Sequence, residues 1–579
     1  MHLLAIAFVA INLLAHASSE STTNTTYNVI HAAGSNYTMG VIVNGKTYPL
    51  QASDLIPILH TGTAPGGNYS YAKLDQAQDV VEKEVFQRPL VQVTLNEFYN
   101  RTWNTRDPTA LPTLMGPLPS INRLNSPLLH PKDEIPTFFV SGNQSQIDFM
   151  HGNTTLDTKV KVDVHVIGTQ NITSVKDVKL SLAGRSSKWR DKLSYGLKSK
   201  GNDTFFGYEK VKLRAMSTDP SYVREILCYE MMESMGLPAS GASYARVVIN
   251  NQPIGLFLMI EHYKDNWYEN IFGGGKKLVP GRGISYQGTG FTSDLTYFGD
   301  NLTKYDGPYK IEKKADKEHR VNGTAAFGRL MELAKFVSEA PTTTQDAVKI
   351  WNEHIDMDSV VRTMVVEIIA GFADGFIGNA DNYFLYDNLA ENRFTFLAND
   401  FDITAGSTII KLADQWSGNY SQYPGFSFRP LTQKMIQVPE FKSQFENLLY
   451  NASQQLIHPN ILYPRIDNLV QMIREDVEWD STLPRVNPDP VMDLSEVYKE
   501  HNFSEITVDP KWLPRPMDFD TVMELQNRSS IDRSSIDFDT AITGPTHLIS
   551  LSGVKEWFGT QSQAIQDYFS QHPPFSLSS

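Results

Sequence analysis

GFADGFIGNADNYFLYDNLAENRFTFLANDFDITAG, residues 371–406, is the stretch on which the reading of this chain turns. YFLYD (383–387) and RFTFLA (393–398) are rich in aromatic and β-branched residues, and the polar run Asn388 to Asn392 separates them. The pattern predicts a β-hairpin. A hairpin brings its open ends together, so Asn382, before the first strand, meets Asp400, after the second. Asp374 sits on the loop leading in. Two carboxylates and an amide oxygen then converge where hard oxygen ligands suit Mg²⁺ or Mn²⁺. Turns and hairpin ends also favour Asn and Asp for their own backbone chemistry, so the pattern alone supports both a metal site and a plain turn.

Three chemistries use such a stretch. Protein kinases place a catalytic Asp and an Asn on one loop, then a short hairpin, then a metal-binding Asp. Asp400-Phe401-Asp402-Ile403-Thr404 also matches the DxDxT nucleophile motif of haloacid-dehalogenase-type phosphatases. That fold wants βα alternation afterwards, and the sequence past Thr404 offers Lys411 and Asp414 without it. The DxD motif of nucleotide-sugar glycosyltransferases is the third option and is too short to be specific.

A length of 579 residues allows two or three domains with proper cores. The net charge of −14 argues against a nucleic-acid partner and leaves room for a local basic pocket that takes a nucleotide. Residues 1–17, MHLLAIAFVAINLLAHA, are expected to be a secretory signal cut after Ala17. Fourteen N-x-S/T sequons, from Asn24 to Asn527, agree with export as a glycoprotein. Cys228 is the only cysteine, so no intramolecular disulfide forms, and its place in an apolar helix suits a buried small hydrophobe. No later segment is long and apolar enough to cross a membrane.

The chain reads as α+β. After a loose Ser/Thr-rich run at 18–26, residues 27–100 alternate short β runs with turns, Asn44-Gly45 being a hairpin signal, and 18–100 predict a small β-sandwich-like N-terminal domain. Residues 101–135 read as a Pro-rich linker lying along the surface. Residues 136–480 give strands first and helices later, as in an atypical two-lobed protein-kinase-like domain. Residues 481–579 read as mostly irregular, with a helix near 562–570. The glycine-rich stretch 262–305 suits a lid and lacks the P-loop frame. A helix is expected from Asp219-Pro220, with Asp219 as its cap, and another over 357–370.

KLSYGLKSK (192–200) places Lys192, Ser194, Gly196 and Lys198 on one face of an expected strand. Such lysines either face solvent or pair the phosphates of a nucleotide. The block from Arg185 through Lys198 resembles the Arg-x-x-Ser and Lys-Lys-Ser-Tyr-x-Leu-Lys motifs of the spore coat protein CotH kinase family. Asp219-Pro220-Ser221 with Arg224, then Met235-Gly236-Leu237-Pro238-Ala239, resembles the family's next helix. The strand from Gly255 to Glu261, then Asp374, Asn382-Tyr383 and Asp400-Phe401-Asp402, resemble its later signatures. The match runs from about 160 to 475 and is strongest with secreted, cell-surface members from mucoralean fungi, which TLNEFYNRTWN (94–104) also resembles.

The resemblance implies an atypical protein kinase that uses ATP with Mg²⁺ or Mn²⁺ and acts on Ser/Thr of secretory or cell-surface proteins. By position, Asp374 is the implied catalytic base and Asp400 the main metal ligand. Asn382 and Asp402 are implied to assist the metal, and Lys192, Lys198 and Arg185 to contact the nucleotide. The residue before the Asn is often His in the family and is Asp381 here; the Lys-Lys pair is Lys192-Leu193. The fungal members also imply a second function, an invasin or adhesin of the cell surface or spore coat that binds a host receptor.

Overall fold

Valines at 160, 162, 164 and 166 alternate with polar residues, and the strand they form, Lys159–Ile167, buries all four. Alternation of this kind sends one side of each strand into a core. A computed structural model of the chain describes residues 24–184, 186–201, 203–290, 292–488, 490, 516–530 and 536–576. The expected signal at 1–17, Arg185 and the sequons at Asn202 and Asn502 lie outside the described residues. The architecture is mixed α+β, in two compact units, Met1–Asn104 and Thr105–Ser579.

The first unit holds two four-stranded sheets. One runs Gln51–Ala52, Leu59–Pro65, Asn24–Ile30, Glu97–Phe98; the other runs Lys46–Pro49, Thr38–Val43, Tyr69–Leu74, Val80–Lys83. Tyr27, Val29, Met39, Val41, Tyr69 and Tyr71 from both sheets form one buried cluster. Asn44 and Gly45 both take positive φ between paired strands, as a tight hairpin turn demands.

In the second unit seven strands close into a barrel. Its order is Lys159–Ile167, Ile172–Leu182, Tyr195–Lys198, Lys210–Arg214, Gln252–Glu261, Ala242–Ile249, Thr137–Gly142, returning to the first. Leu197, Val211, Leu213, Val247, Phe257 and Met259 fill it. The expected strand over 192–200 is shorter than its pattern suggested, Tyr195–Lys198, and Lys192 precedes it. Beyond the barrel, the hairpin of Tyr383–Asn388 and Arg393–Ala398 forms with Tyr383 opposite Ala398. Ser285–Gly288 pairs with that hairpin and with Tyr309–Lys313. Part of the glycine-rich stretch is therefore sheet rather than a free lid, because backbone pairing outweighs the flexibility its glycines allow.

The helix Arg224–Ser234 begins five residues after Asp219. Asp219 instead organises the turn before it, accepting from the backbone N–H of Ser221 and Arg224. Helix Met357–Ala370 has the expected bounds and packs on Pro439–Gln455 and on the Arg393–Ala398 strand. The 101–135 segment is irregular and bonds along the second unit, with Leu114 donating to the Ser234 carbonyl and Asn122 to that of Ile271.

The C-terminal stretch departs from expectation. Residues 481–579 carry helices Phe519–Ser530, Phe538–Thr543 and Val554–Gln571. Pro, Asp and Ser punctuate these helices rather than abolish them, since Asp537 caps one through the Thr540 N–H. Trp557 is fully buried and donates its Nε1–H to the Ile369 carbonyl at 3.1 Å. It lies against Gly371, the left-handed residue (φ 59°) that ends helix Met357–Ala370. A Cβ on Gly371 would sit 2.2 Å from the indole ring. Gly371→Ala is expected to lower stability by about 3 kcal/mol, from left-handed strain plus overpacking. Urea unfolding checks this, and Gly371→Ala/Trp557→Leu should lose less than the two single changes added together.

Candidate functional site

Three carboxylates surround one guanidinium at the junction of barrel and hairpin. Arg214 ends the Lys210–Arg214 strand. It pairs with Asp400 through Nη1, with Asp402 through Nη2 at 3.3 Å, and with Glu225 through Nε at 2.8 Å. Lys212, two residues back on the same face of the strand, reaches Asp400 at 3.4 Å. Burial pushes the Asp400 carboxyl up, but Arg214 and Lys212 outweigh it and hold it well below the usual range. Burial instead prevails at Glu225, pushed up to about 7, and raises Asp402. The cluster thus holds three carboxylates against two cations, and the neighbouring carboxylates add to the effect of burial at Glu225 and Asp402.

The hairpin supplies the other half. Asn399 donates its backbone N–H to the Asn382 carbonyl at 2.9 Å, so Asp400 follows directly on the residue that closes the strands. Asn382 and Asp400 both take left-handed φ, 53° and 65°, a conformation Asn and Asp tolerate better than other side chains. The Asn382 side-chain amide donates to Asp374 Oδ2 at 2.8 Å, and Asn379 donates to Asp374 Oδ1 at 2.7 Å. With its nitrogen committed there, Asn382 keeps Oδ1 as its acceptor. Asp381 accepts from the Asn382 backbone N–H at 2.8 Å.

A second layer fixes this loop. Buried Glu367 accepts from the Phe376 and Ile377 N–H groups, and Arg429 donates to the Ile377 and Gly378 carbonyls. Burial pushes Glu367 up to about 8, against the pull of those N–H groups and of Arg429. Arg224, fully buried, donates to the carbonyls of Ala405 and Ser552. Arg528 donates to Ser407 Oγ at 2.8 Å. The C-terminal helices thereby brace the segment after Asp402. Phe401 is buried against Tyr229 and Phe372, and the Cys228 thiol, raised to about 12 by burial, lies 3.3 Å from Thr404 Oγ1.

The sequence-derived residues separate into two sets. Asp374, Asn382, Asp400 and Asp402 lie on the hairpin and its flanks as described. Lys192 lies elsewhere: its ammonium is buried, pairs with Asp480 at 2.7 Å, donates to the Leu256 carbonyl and sits 4.5 Å from the Phe257 ring centroid. Gly255 (φ 127°) leaves room for that carboxylate, since a Cβ there would lie 1.8 Å from it. Lys198 is half-exposed and pairs with Asp265. Lys212 and Arg214, rather than the Lys192 and Lys198 expected to contact the nucleotide, are the cations that stand beside Asp400. The alternation in KVKLR (210–214) was their signal.

Among the described residues no three His, Cys, Asp or Glu side chains form a ready metal cluster. Mg²⁺ is commonly held by one or two carboxylates together with substrate phosphates, rather than by an all-protein cage. The all-oxygen set of Asp400, Asp402 and Asn382, in a cluster short of positive charge, fits that mode.

Two predictions follow from this geometry. Asp480→Ala leaves Lys192 buried without its counter-ion and is expected to cost about 3–5 kcal/mol in denaturant unfolding, with the Asp400 site keeping its ligand affinity. Glu225 titrates higher folded than its ordinary 4.5, so the folded chain binds the extra proton between about pH 4.5 and 7. Its contribution to stability is present below 4.5 and lost as pH rises to 7; Glu367 acts the same way up to about 8. Asp400, lowered, works in a separate window, losing stability as pH falls below the ordinary carboxylate range. Glu225→Gln should flatten the decline between pH 5 and 7, read as melting temperature against pH.

The family model described as CotH kinase protein matches residues 180–484, just over half of the chain. Invasin CotH3 of Rhizopus delemar is 28% identical over 462 residues, covering 77% of this chain and 74% of its own length. Spore coat protein homolog 1 of the same organism is 25% identical over 462 residues, with 77% and 71% covered. Inner spore coat protein H of Bacillus subtilis is 24% identical over 346 residues, 56% of this chain and 88% of its own length. The matched span contains Arg214, Glu225, Asp374, Asn382 and Asp400, and the chain belongs to the CotH kinase protein family.

Proposed function

We propose that this chain is a secreted phosphotransferase that moves the terminal phosphate of ATP to a Ser or Thr hydroxyl of secretory or cell-surface proteins. One observation carries the reading: Arg214, on a barrel strand, pairs at once with a helix carboxylate, Glu225, and with Asp400 after the hairpin. Protein kinases join a strand Lys to a helix Glu beside their metal-binding Asp, and require both to be in place. Here Arg fills the strand position. On this reading the barrel and the helical half are the two lobes of an atypical kinase-like fold, and the first unit is a β-sandwich-like module.

In the reaction, the acceptor oxygen forms a bond to the terminal phosphorus as the bond to the bridging oxygen breaks, and ADP leaves. Asp374, aimed by Asn379 and Asn382, orients the acceptor hydroxyl and takes its proton. Lys212 and Arg214 face the nucleotide's phosphates and offset their charge. Asp400, Asp402 and Asn382 would hold Mg²⁺ or Mn²⁺, which would neutralise further phosphate charge.

A second reading has its own support. Several relatives are named invasins, CotH3 among them, and others are spore coat proteins. On that reading the chain is a cell-surface or spore-coat adhesin that binds a host receptor, with this fold as scaffold. No helix among the described residues is long and apolar enough to cross a membrane.

Calorimetry with ATP and either metal, with a chelator control, separates the two. Metal-dependent binding is expected. Asp374→Ala should cut phosphate transfer about 10²- to 10⁴-fold while ATP affinity holds, and Asp400→Ala should weaken the metal-dependent binding itself. Equal losses of ATP affinity in both variants would undo the division of roles. A wild-type chain that binds host cells and no nucleotide with either metal would establish the adhesin.

A further inference from the structure

The outer face of the barrel carries a row of lysines in register. Lys161 lies directly opposite Lys179, Lys179 opposite Lys198, and Lys198 opposite Lys210, across four successive strands. Directly opposed residues share a sheet face, so all four side chains stand on the side away from the barrel core. At Lys210 the row turns along its own strand to Lys212 and Arg214, on the same face at alternate positions, and reaches Asp400. Lys161 and Lys179 are exposed, Lys198 and Lys210 half-buried, Lys212 and Arg214 buried.

Like charges directly opposite one another destabilise a sheet, and this chain has a net charge of −14, so the row is not a by-product of a basic surface. Its own carboxylates answer it only in part. Lys161 pairs with Asp177 and Lys198 with Asp265, and the first pair is well exposed and contributes little. Lys179 and Lys210 have no carboxylate at ion-pair distance among the described residues. Burial and the neighbouring lysines 198, 212 and 159 lower Lys210 against the pull of Asp265, and Lys264 is lowered to about 8 in the same field. Beside them the buried His262 Nδ1 has no hydrogen-bond partner.

We infer that this row is the docking track for an acidic segment of the protein substrate, which it leads toward the Asp374–Asp400 site. The inference rests on the phosphotransferase reading for its direction and on charge complementarity for its occupant. Neighbouring strands lie about 4.8 Å apart, so the four lysine positions span about 14 Å, the length of about five extended residues. Alternate carboxylates on such a segment all face the row. From Lys210 to Arg214 is about 13 Å more, which sets the acidic run roughly four residues from the acceptor Ser or Thr. Lysine rather than arginine lines the exposed part, giving point charges without the planar fork that selects phosphate or sulfate groups.

The test uses the full chain and a labelled peptide with alternating Glu over five positions and a Ser four residues beyond, against the same peptide with Gln for Glu. Fluorescence anisotropy at low salt should show at least about tenfold tighter binding of the acidic peptide. Lys161→Glu/Lys179→Glu, two exposed sites far from Asp400, should abolish that preference with an unchanged melting temperature. Asp374→Asn should bind as wild type does, so the track is read even where no phosphate is transferred. An unchanged preference in the double variant would overturn the inference. So would a sulfated oligosaccharide of equal charge that binds more tightly and displaces the peptide, since the face would then serve glycans.

Discussion

The Arg214 guanidinium is the point through which the second unit is tied together. It is buried together with Glu225, while Asp400 and Asp402 are half-buried, and it draws one carboxylate from a helix and two from the loop after the hairpin. A cation removed from water is tolerable only when its counter-ions are close and well placed. That demand fixes three things at once: the end of the Lys210–Arg214 strand, the rotation of the Arg224–Ser234 helix, and the approach of Asp400. The helix is set a second time one turn further along the same face, where Tyr229 packs edge-on against Phe401 and donates to Asn399 Oδ1.

Around that point the loops are over-determined. Ala380, Asn382, Asp400 and Ala405 all take left-handed φ, and residues held there persist only where surrounding structure compels them. Arg429 and Glu367 compel the first two by tying down 376–378. Arg224, Arg528 and the Ser550–Ser552 backbone compel the last, with Thr408 donating to the Ser550 carbonyl and Ser552 to that of Gly406. The C-terminal helices thus belong to the site they never touch chemically. A chain ending near 484, where the family match stops, would lack these contacts.

What could be read from the sequence follows the range of the interactions. The hairpin, the helix over 357–370 and the approach of Asn382 to Asp400 depend on neighbours within about twenty residues, and local pattern reports them. The partner of Lys192 does not. Its block resembles the family's lysine motif, yet barrel closure carries it to Asp480 on a helix far along the chain, and no local pattern reveals that pairing. Lys212 and Arg214 escaped notice for the opposite reason. Their alternation is as plain as that of 192–198, but only the pairing of strands shows which lysine-bearing strand faces Asp400. At the C-terminus the helix near 562–570 was legible, but Pro, Asp and Ser read as irregular chain also flank the helices Phe519–Ser530 and Phe538–Thr543.

The charge balance at Arg214 bears on whether this fold is a working site or a scaffold. A protein kept only for its outer surface gains nothing from one buried and two half-buried carboxylates around two buried cations, since replacing buried ion pairs with well-packed apolar residues is often neutral or stabilising. Here the imbalance is retained: burial pushes Glu225 and Asp402 above their ordinary range, while Arg214 and Lys212 hold Asp400 below it. Carboxyls moved apart in this way mark places where charge is to be handled. The Asp374 carboxylate, aimed by two amides, stands one hydrogen bond from Asn382 and hence beside that cluster. A surface that only adheres has no use for an aimed carboxylate next to an unbalanced one, whereas phosphate transfer uses both.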